Sequence, residues 1–145
     1  MAKSKRSIED LVEMTNNYKN EIDRLIPLAM MKDEKQGQLL AMSIVQFVAT
    51  TEEIFNRVFH RIEGFRVRQN EMMSKIRELG VSPDFLLAFE KLKLLRNRIV
   101  HQVSFVDPIF KYFSRDLKGL DHFEKTRMRL ATVANITREE VYFVS

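Results

Sequence analysis

The residues best suited to chemistry stand within one run of six, Arg96-Asn97-Arg98-Ile99-Val100-His101. Arginine carries a planar fork of N–H donors that matches phosphate oxygens, and it stays charged at any useful pH. Histidine is the side chain that gives or takes a proton near neutral pH. A fixed cation beside a proton-transfer group suits phosphodiester chemistry. Arg96, Asn97 and His101 are therefore the candidate catalytic residues.

The spacing of these three residues sets a geometric condition on the site. Asn97 and His101 are four positions apart, so on a helix they share a face and Asn97 can orient the imidazole. Arg96 and His101 are five positions apart, which a regular helix separates by roughly 140°. One copy of the motif does not easily direct both groups at one phosphate. Two copies facing each other across a dimer axis can do so.

A structural interpretation of His101 stands beside the catalytic one. A single histidine near the C-terminal end of a helix often does no more than compensate the helix dipole at the surface. The catalytic interpretation therefore depends on Arg96 and Asn97 standing at these spacings from His101 within a helical chain.

An Arg, a polar residue that is commonly Asn, three further residues and a His resemble the signature of the HEPN superfamily. These are small all-helical domains that include metal-independent endoribonucleases. The segment Leu94-Leu95-Arg96-Asn97-Arg98-Ile99-Val100-His101 is similar to HEPN toxins encoded beside nucleotidyltransferase antitoxins. In those toxins the motif usually continues His-any-Tyr, whereas here Gln102 and Val103 follow His101. The chain thus departs from the subgroup whose antitoxin modifies that tyrosine.

The resemblance implies a reaction in which RNA supplies its own nucleophile, the 2′-hydroxyl. His101 would act as general base on that hydroxyl or as general acid on the leaving 5′-oxygen. Arg96 would stabilise charge on the phosphoryl oxygens, and Asn97 would fix the imidazole. The expected product carries a 2′,3′-cyclic phosphate, and no metal or cofactor is expected. In related ribonucleases a polar or acidic residue of the second helix often supports the site. The candidates are Thr51, Glu52 and Glu53.

The resemblance also implies partners and a biological setting. We expect a homodimer with a composite Arg/His site that acts on RNA in toxin–antitoxin or antiviral defence, with a cognate antitoxin or regulatory protein as a further partner. The alternative within the family is a catalytically inactive HEPN module that binds RNA, a nucleotide or a partner protein. An unrelated helical interaction protein with a chance motif is a third interpretation. RNA cleavage separates the first interpretation from the other two.

Further basic residues are candidates for RNA contact, because phosphate binding needs little more than clustered cations. Arg98 lies within the motif and Lys93 precedes it, and Arg57 and Arg61 recur four residues apart on the second predicted helix. Each also has a simpler interpretation. Arg98 can pair with an acid on a neighbouring helix, which we slightly favour, and the Arg57–Arg61 face can be a solvated surface.

The composition bounds the kind of protein. A chain of 145 residues fits one domain, and its net charge of +4 is compatible with an anionic partner. The absence of cysteine excludes disulfides, thiolate zinc sites and cysteine nucleophiles. No apolar run long enough to span a membrane is present. With no signal peptide predicted, we expect a cytoplasmic protein. Residues 1–6 are expected to form a flexible basic tail.

Hydrophobic periodicity predicts an all-α bundle of four or five helices, which is also the HEPN fold. The helices are expected at residues 7–31, 38–65, 66–79 and 83–101, with Ser7 as the first N-cap and Pro27 kinking or ending the first helix. A fifth is expected to begin at Asp107-Pro108 and to be interrupted near Gly119. Residues 135–145 form a C-terminal tail whose pattern is too short to classify.

Overall fold

The computed structural model describes the backbone of residues 7–30, 34–101 and 116–144. In these ranges the chain forms helices α1 (Ile8–Met30), α2 (Glu34–Glu63), α3 (Met72–Glu78), α4 (Pro83–Val100) and α5 (Asp116–Val144), with a 3₁₀ turn at Gln69–Glu71. The described part contains no strand, so the predicted all-α class is confirmed. The predicted basic tail at residues 1–6 and the helix start at Asp107-Pro108 lie outside the described residues.

The four long helices pack into a bundle. α1 lies along α2, and α5 packs against both α1 and α4. α2 also contacts α4, and this contact brings the candidate residues of the two helices together. Among the described helices, none is long and apolar enough to cross a membrane.

Two of the helix starts follow from serine side chains in the sequence. Ser7 and Asp10 bond reciprocally: Ser7 Oγ accepts from the Asp10 backbone N–H at 3.1 Å, and the Ser7 N–H donates to Asp10 Oδ2 at 3.3 Å. Ser82 Oγ likewise accepts from the Asp84 N–H at 3.1 Å, with Pro83 in the first turn of α4. Each bond satisfies a backbone donor that a helix start leaves unpaired. The predicted cap at Ser7 is therefore confirmed.

α1 covers nearly all of the predicted range 7–31 and continues through Pro27 to Met30, so Pro27 does not end the helix. Pro27 is exposed, while Leu25 and Ile26 before it are buried against the bundle. The predicted start of α2 is wrong. α2 begins at Glu34, four residues before the predicted Gln38. The intervening Lys35 and Gln36 are good helix formers, so the polar stretch extends the helix and does not interrupt it.

The remaining differences lie around α3 and in α5. α3 is shorter than predicted, since an extended segment and the 3₁₀ turn occupy residues 66–71. Gly119 lies inside α5, and the helix continues through the unclassified tail to Val144. Thr137 in that tail is fully buried. Tertiary packing stabilises these residues as helix, and the pattern of a single sequence does not contain that packing.

Four phenylalanines join α2 to α4. The ring centroids of Phe55 and Phe85 are 5.4 Å apart, as are those of Phe85 and Phe89, and Phe59 packs beside Phe55. All four side chains are buried. Tilted aromatic contacts of this kind are favourable and hold the two helices at a fixed distance. The Phe cluster therefore fixes the distance between α2 and α4 one turn away from the candidate site.

Truncating a ring of this cluster should destabilise the whole bundle. Phe89→Ala is expected to lower the free energy of unfolding by about 3–5 kcal/mol, because it leaves a cavity between α2 and α4. The matched control is Phe65→Ala, since Phe65 is mostly exposed and its removal should cost about 0.5 kcal/mol or less. Urea unfolding followed by circular dichroism measures both. Equal losses in the two variants would contradict the proposed importance of the Phe cluster.

Candidate active site

Arg96 of α4 is held by a carboxylate of α2. Its Nη1 donates to Glu52 Oε1 at 2.7 Å, across 44 residues of sequence. Both side chains are nearly inaccessible, with 8% of Glu52 and 13% of Arg96 exposed. A charge-assisted hydrogen bond of this length, shielded from water, fixes the guanidinium strongly. Arg96 is thus a positioned cation.

A second anchor for Arg96 comes from the next residue. Arg96 Nε donates to Asn97 Oδ1 at 3.0 Å, so the carboxamide and the carboxylate hold two edges of the guanidinium. We expected Asn97 to orient the imidazole of His101 from the same helix face. The structure instead places the Asn97 carboxamide oxygen on Arg96. Asn97 is nevertheless exposed at the helix surface.

Lys93 completes the charge balance around Glu52. Its Nζ lies 3.5 Å from Glu52 Oε2 and 5.8 Å from the centre of the Phe89 ring. Oε2 is buried and has no hydrogen bond in the described structure, so Lys93 compensates it by charge alone. Two cations on one anion give this Glu52 cluster, formed by Glu52, Lys93 and Arg96, a net charge of +1. A buried acid needs such compensation, because removing it from water is costly.

His101 lies at the end of α4 and on another side of it. It is the C-cap residue, exposed, with its backbone N–H donating to the Asn97 carbonyl at 3.0 Å. Arg96 is directed into the contact with α2, while His101 faces outward. This difference agrees with the separation of roughly 140° that helix geometry gives residues five positions apart.

The side of α4 that carries His101 is exposed along most of the helix. Leu87, Leu94, Arg98 and His101 recur at spacings of seven, four and three residues, and all four are exposed. Leu94 and Val100, near the candidate site, each keep half of their surface accessible. We call the exposed residues Leu94, Asn97, Arg98, Val100 and His101 the α4 end face. It combines apolar side chains with one cation, Arg98, and the imidazole of His101.

Arg57 and Arg61, the other predicted RNA contacts, lie near the C-terminal end of α2. Arg57 Nε donates to Glu53 Oε1 at 3.0 Å, and Arg61 is exposed. Glu53 also accepts a two-pronged bond from Arg66, at 3.1 and 2.7 Å. The bond from Arg66 is the main reason why the pKa of Glu53 lies below its ordinary value. Lys93 and Arg98 belong to α4, so the predicted RNA contacts fall into two separate groups.

The structure distinguishes the three candidates on the second helix. Thr51 is buried and its hydroxyl donates to the Phe47 carbonyl at 2.9 Å, while Glu53 binds Arg57 and Arg66. Only Glu52 of the three contacts Arg96 in the described structure. Sequence spacing could not separate these neighbours, because the choice depends on how α2 is rotated against α4. The role of Lys93 as counter-ion was missed for the same reason.

A scan against protein-family models and searches of curated proteins and of solved structures find no match to this chain.

Removing the carboxylate of Glu52 should destabilise the fold. Glu52→Gln leaves Lys93 and Arg96 without their counter-charge in a nearly inaccessible place, so we expect a loss of about 3 kcal/mol in the free energy of unfolding. The control is Glu21→Gln, whose partner Arg24 lies in the solvent, and no change is expected there. Urea unfolding at neutral pH measures both variants. A Glu52→Gln midpoint equal to that of the wild type would refute the structural importance of this ion pair.

Proposed function

We propose that this protein is a metal-independent endoribonuclease of the HEPN type, acting as a homodimer with a composite Arg/His site. The observation that supports this most is the two-sided anchoring of Arg96 by Glu52 and Asn97, with an exposed His101 at the end of the same helix. Phosphodiester transfer in RNA needs a fixed guanidinium and a group that transfers protons, and two copies of the chain would bring these groups together.

The proposed reaction uses only groups of the RNA and the protein. The 2′-oxygen of a ribose attacks the neighbouring phosphorus, and the bond from phosphorus to the 5′-oxygen of the next nucleotide breaks. A His101 imidazole accepts the 2′-hydroxyl proton, and an imidazolium donates a proton to the leaving 5′-oxygen. The products are a 2′,3′-cyclic phosphate and a free 5′-hydroxyl. DNA, which lacks the 2′-hydroxyl, is not cleaved.

Arg96 would stabilise the charge that grows on the phosphoryl oxygens. Glu52 and Asn97 engage one N–H of Nη1 and the N–H of Nε, so Arg96 would meet a phosphate through the other N–H of Nη1 or through Nη2. Because the guanidinium is held before RNA binds, little of its side-chain entropy is lost when the transition state forms. Glu52 and Asn97 therefore act as positioning residues in this proposal, with Arg96 and His101 as the catalytic residues.

A second copy of the chain is the occupant that we propose for the α4 end face. Its half-exposed Leu94 and Val100 offer apolar surface for association. A two-fold axis near His101 would bring two imidazoles and two Arg96 residues towards one cleft, which a single chain does not do. RNA phosphates in that cleft would offset the repulsion between paired Arg98 residues.

A toxin–antitoxin or antiviral role, with a cognate antitoxin, follows from the HEPN resemblance alone. The competing function is a HEPN module without catalysis that binds RNA, a nucleotide or a protein. The Glu52 pair gives this alternative some support, because a buried Arg96 ion pair can be purely structural. The following experiment separates the two functions.

We expect purified protein to cleave single-stranded RNA in the presence of EDTA, leaving cyclic phosphate ends. His101→Ala should lower the single-turnover rate by about 10²–10⁴-fold, as expected for the loss of general acid–base catalysis. Gel analysis of a labelled RNA measures the rate, and treatment with acid identifies the cyclic ends.

The control is Lys19→Ala, which removes a surface cation bound to Asp23 on α1 and should leave the rate unchanged. Equal cleavage by wild type and His101→Ala would point to a contaminating nuclease and would contradict the proposed function. Native mass spectrometry should give twice the chain mass of 17.2 kDa. A monomer that retains full activity would contradict the composite site.

A further inference from the structure

A basic pocket lies at the C-terminal end of α2. It has a volume of about 470 Å³, within the range of pockets that hold small molecules. One wall is the α2 face with Glu53, Asn56, Arg57 and His60, and the other is the segment that turns back after the helix, residues 64–66. We call this the α2 end pocket.

Gly64 produces the turn that forms the pocket. Its φ is +83°, a conformation that side chains strongly disfavour, and its N–H closes the helix on the His60 carbonyl at 2.8 Å. The chain then reverses and lies against α2. The Val67 N–H donates to Asn56 Oδ1 at 3.1 Å, and Val67 itself is buried. This bond and the burial of Val67 hold the segment after Gly64 against α2.

Charge in the pocket is positive and fixed in place. The guanidiniums of Arg57 and Arg66 share the single carboxylate of Glu53, so the three groups carry a net charge of +1. The bond from Arg66 holds the pKa of Glu53 below its ordinary value, and the triad keeps this charge at neutral pH. Positioned guanidiniums of this kind suit the oxygens of a phosphate, which they can bind with two parallel N–H donors.

Phe65 supplies an aromatic surface at the same pocket. It is 57% exposed, although the other phenylalanines with described side chains are buried in the core. Every nucleobase can stack on such a ring once it is unpaired, and this is the usual way in which proteins hold single-stranded RNA. A ring beside two arginines therefore matches a nucleotide, with its flat base and its phosphate.

We propose that the α2 end pocket binds one nucleotide of a single-stranded RNA, with the base stacked on Phe65 and a phosphate on Arg57 and Arg66. That the ligand is RNA rests on the proposed ribonuclease function. Glu53 and Glu52 are adjacent on α2, and adjacent positions of a helix diverge by about 100°. The pocket and the Glu52 cluster thus lie on neighbouring faces of one helix. One RNA strand can contact both, and the pocket selects unpaired RNA as the substrate.

Binding of an uncleavable RNA tests this directly. The probe is a fluorescein-labelled 2′-O-methyl oligonucleotide of about eight nucleotides, a length that single-strand-binding folds cover. Anisotropy should show that Phe65→Ala weakens binding by roughly 5- to 100-fold, the range found for the loss of one stacked base. Phe65→Tyr should bind like the wild type, and a duplex of the same sequence should compete poorly because its bases are already paired.

Two further variants test the phosphate contact and the specificity of the Phe65 effect. Arg66→Gln should reduce the slope of log affinity against log salt by about one, the value for one lost phosphate contact. Leu39→Ala is the matched control, because it removes an exposed apolar side chain of α2 that is far from the pocket residues in sequence, and it should bind like the wild type. Urea unfolding of each variant shows whether it is folded.

The possible results separate this proposal from the ribonuclease function. Unchanged affinity in folded Phe65→Ala, an equal loss in Leu39→Ala, or no binding by the wild-type protein would overturn the nucleotide pocket. If the oligonucleotide binds through Phe65 but natural RNA is not cleaved, the pocket stands and the ribonuclease function fails. If RNA is cleaved while Phe65→Ala binds normally, the reverse holds.

Discussion

The position of α4 relative to α2 depends on one buried acid, Glu52. A carboxylate removed from water is tolerated only when opposite charges and donors replace its hydration. Lys93 and Arg96, one turn apart on α4, supply that replacement. The Phe cluster fixes the distance between the helices without direction, whereas the ion pair specifies how α4 is rotated. This rotation places Arg96 inward and leaves His101 outward.

The same pair prepares Arg96 for chemistry in the proposed function. A free arginine loses considerable side-chain entropy when it engages a phosphate, but one held by Glu52 and Asn97 has already lost it during folding. The compensation also limits what one chain can do, because fixing Arg96 against α2 separates it from His101. In the proposed function, a composite site between two chains would bring the two groups together. The α2 end pocket follows the same principle, since Glu53 holds two arginines at an exposed surface.

The helical class and the cap at Ser7 could be predicted from the sequence, because each depends on residues a few positions apart. The helical state of residues 135–144 could not be predicted, since packing against other helices decides it. The sequence narrowed the partner of the motif to Thr51, Glu52 and Glu53, and the structure shows Glu52. The choice among these three neighbours depends on how α2 lies against α4, and the bond from Arg66 to Glu53 depends on how the chain turns back after α2. Residue spacing in a single sequence contains neither.

The central claim is that Glu52 contributes to RNA cleavage through Arg96. A double-mutant cycle tests it most directly. Single-turnover cleavage rates are measured for the wild type, Glu52→Gln, Arg96→Ala and the double variant, at a temperature below the unfolding midpoint of each. If Glu52 acts through Arg96, the double variant should cleave no more slowly than Arg96→Ala alone. Losses that multiply, or a Glu52→Gln variant that cleaves at the wild-type rate, would contradict the claim.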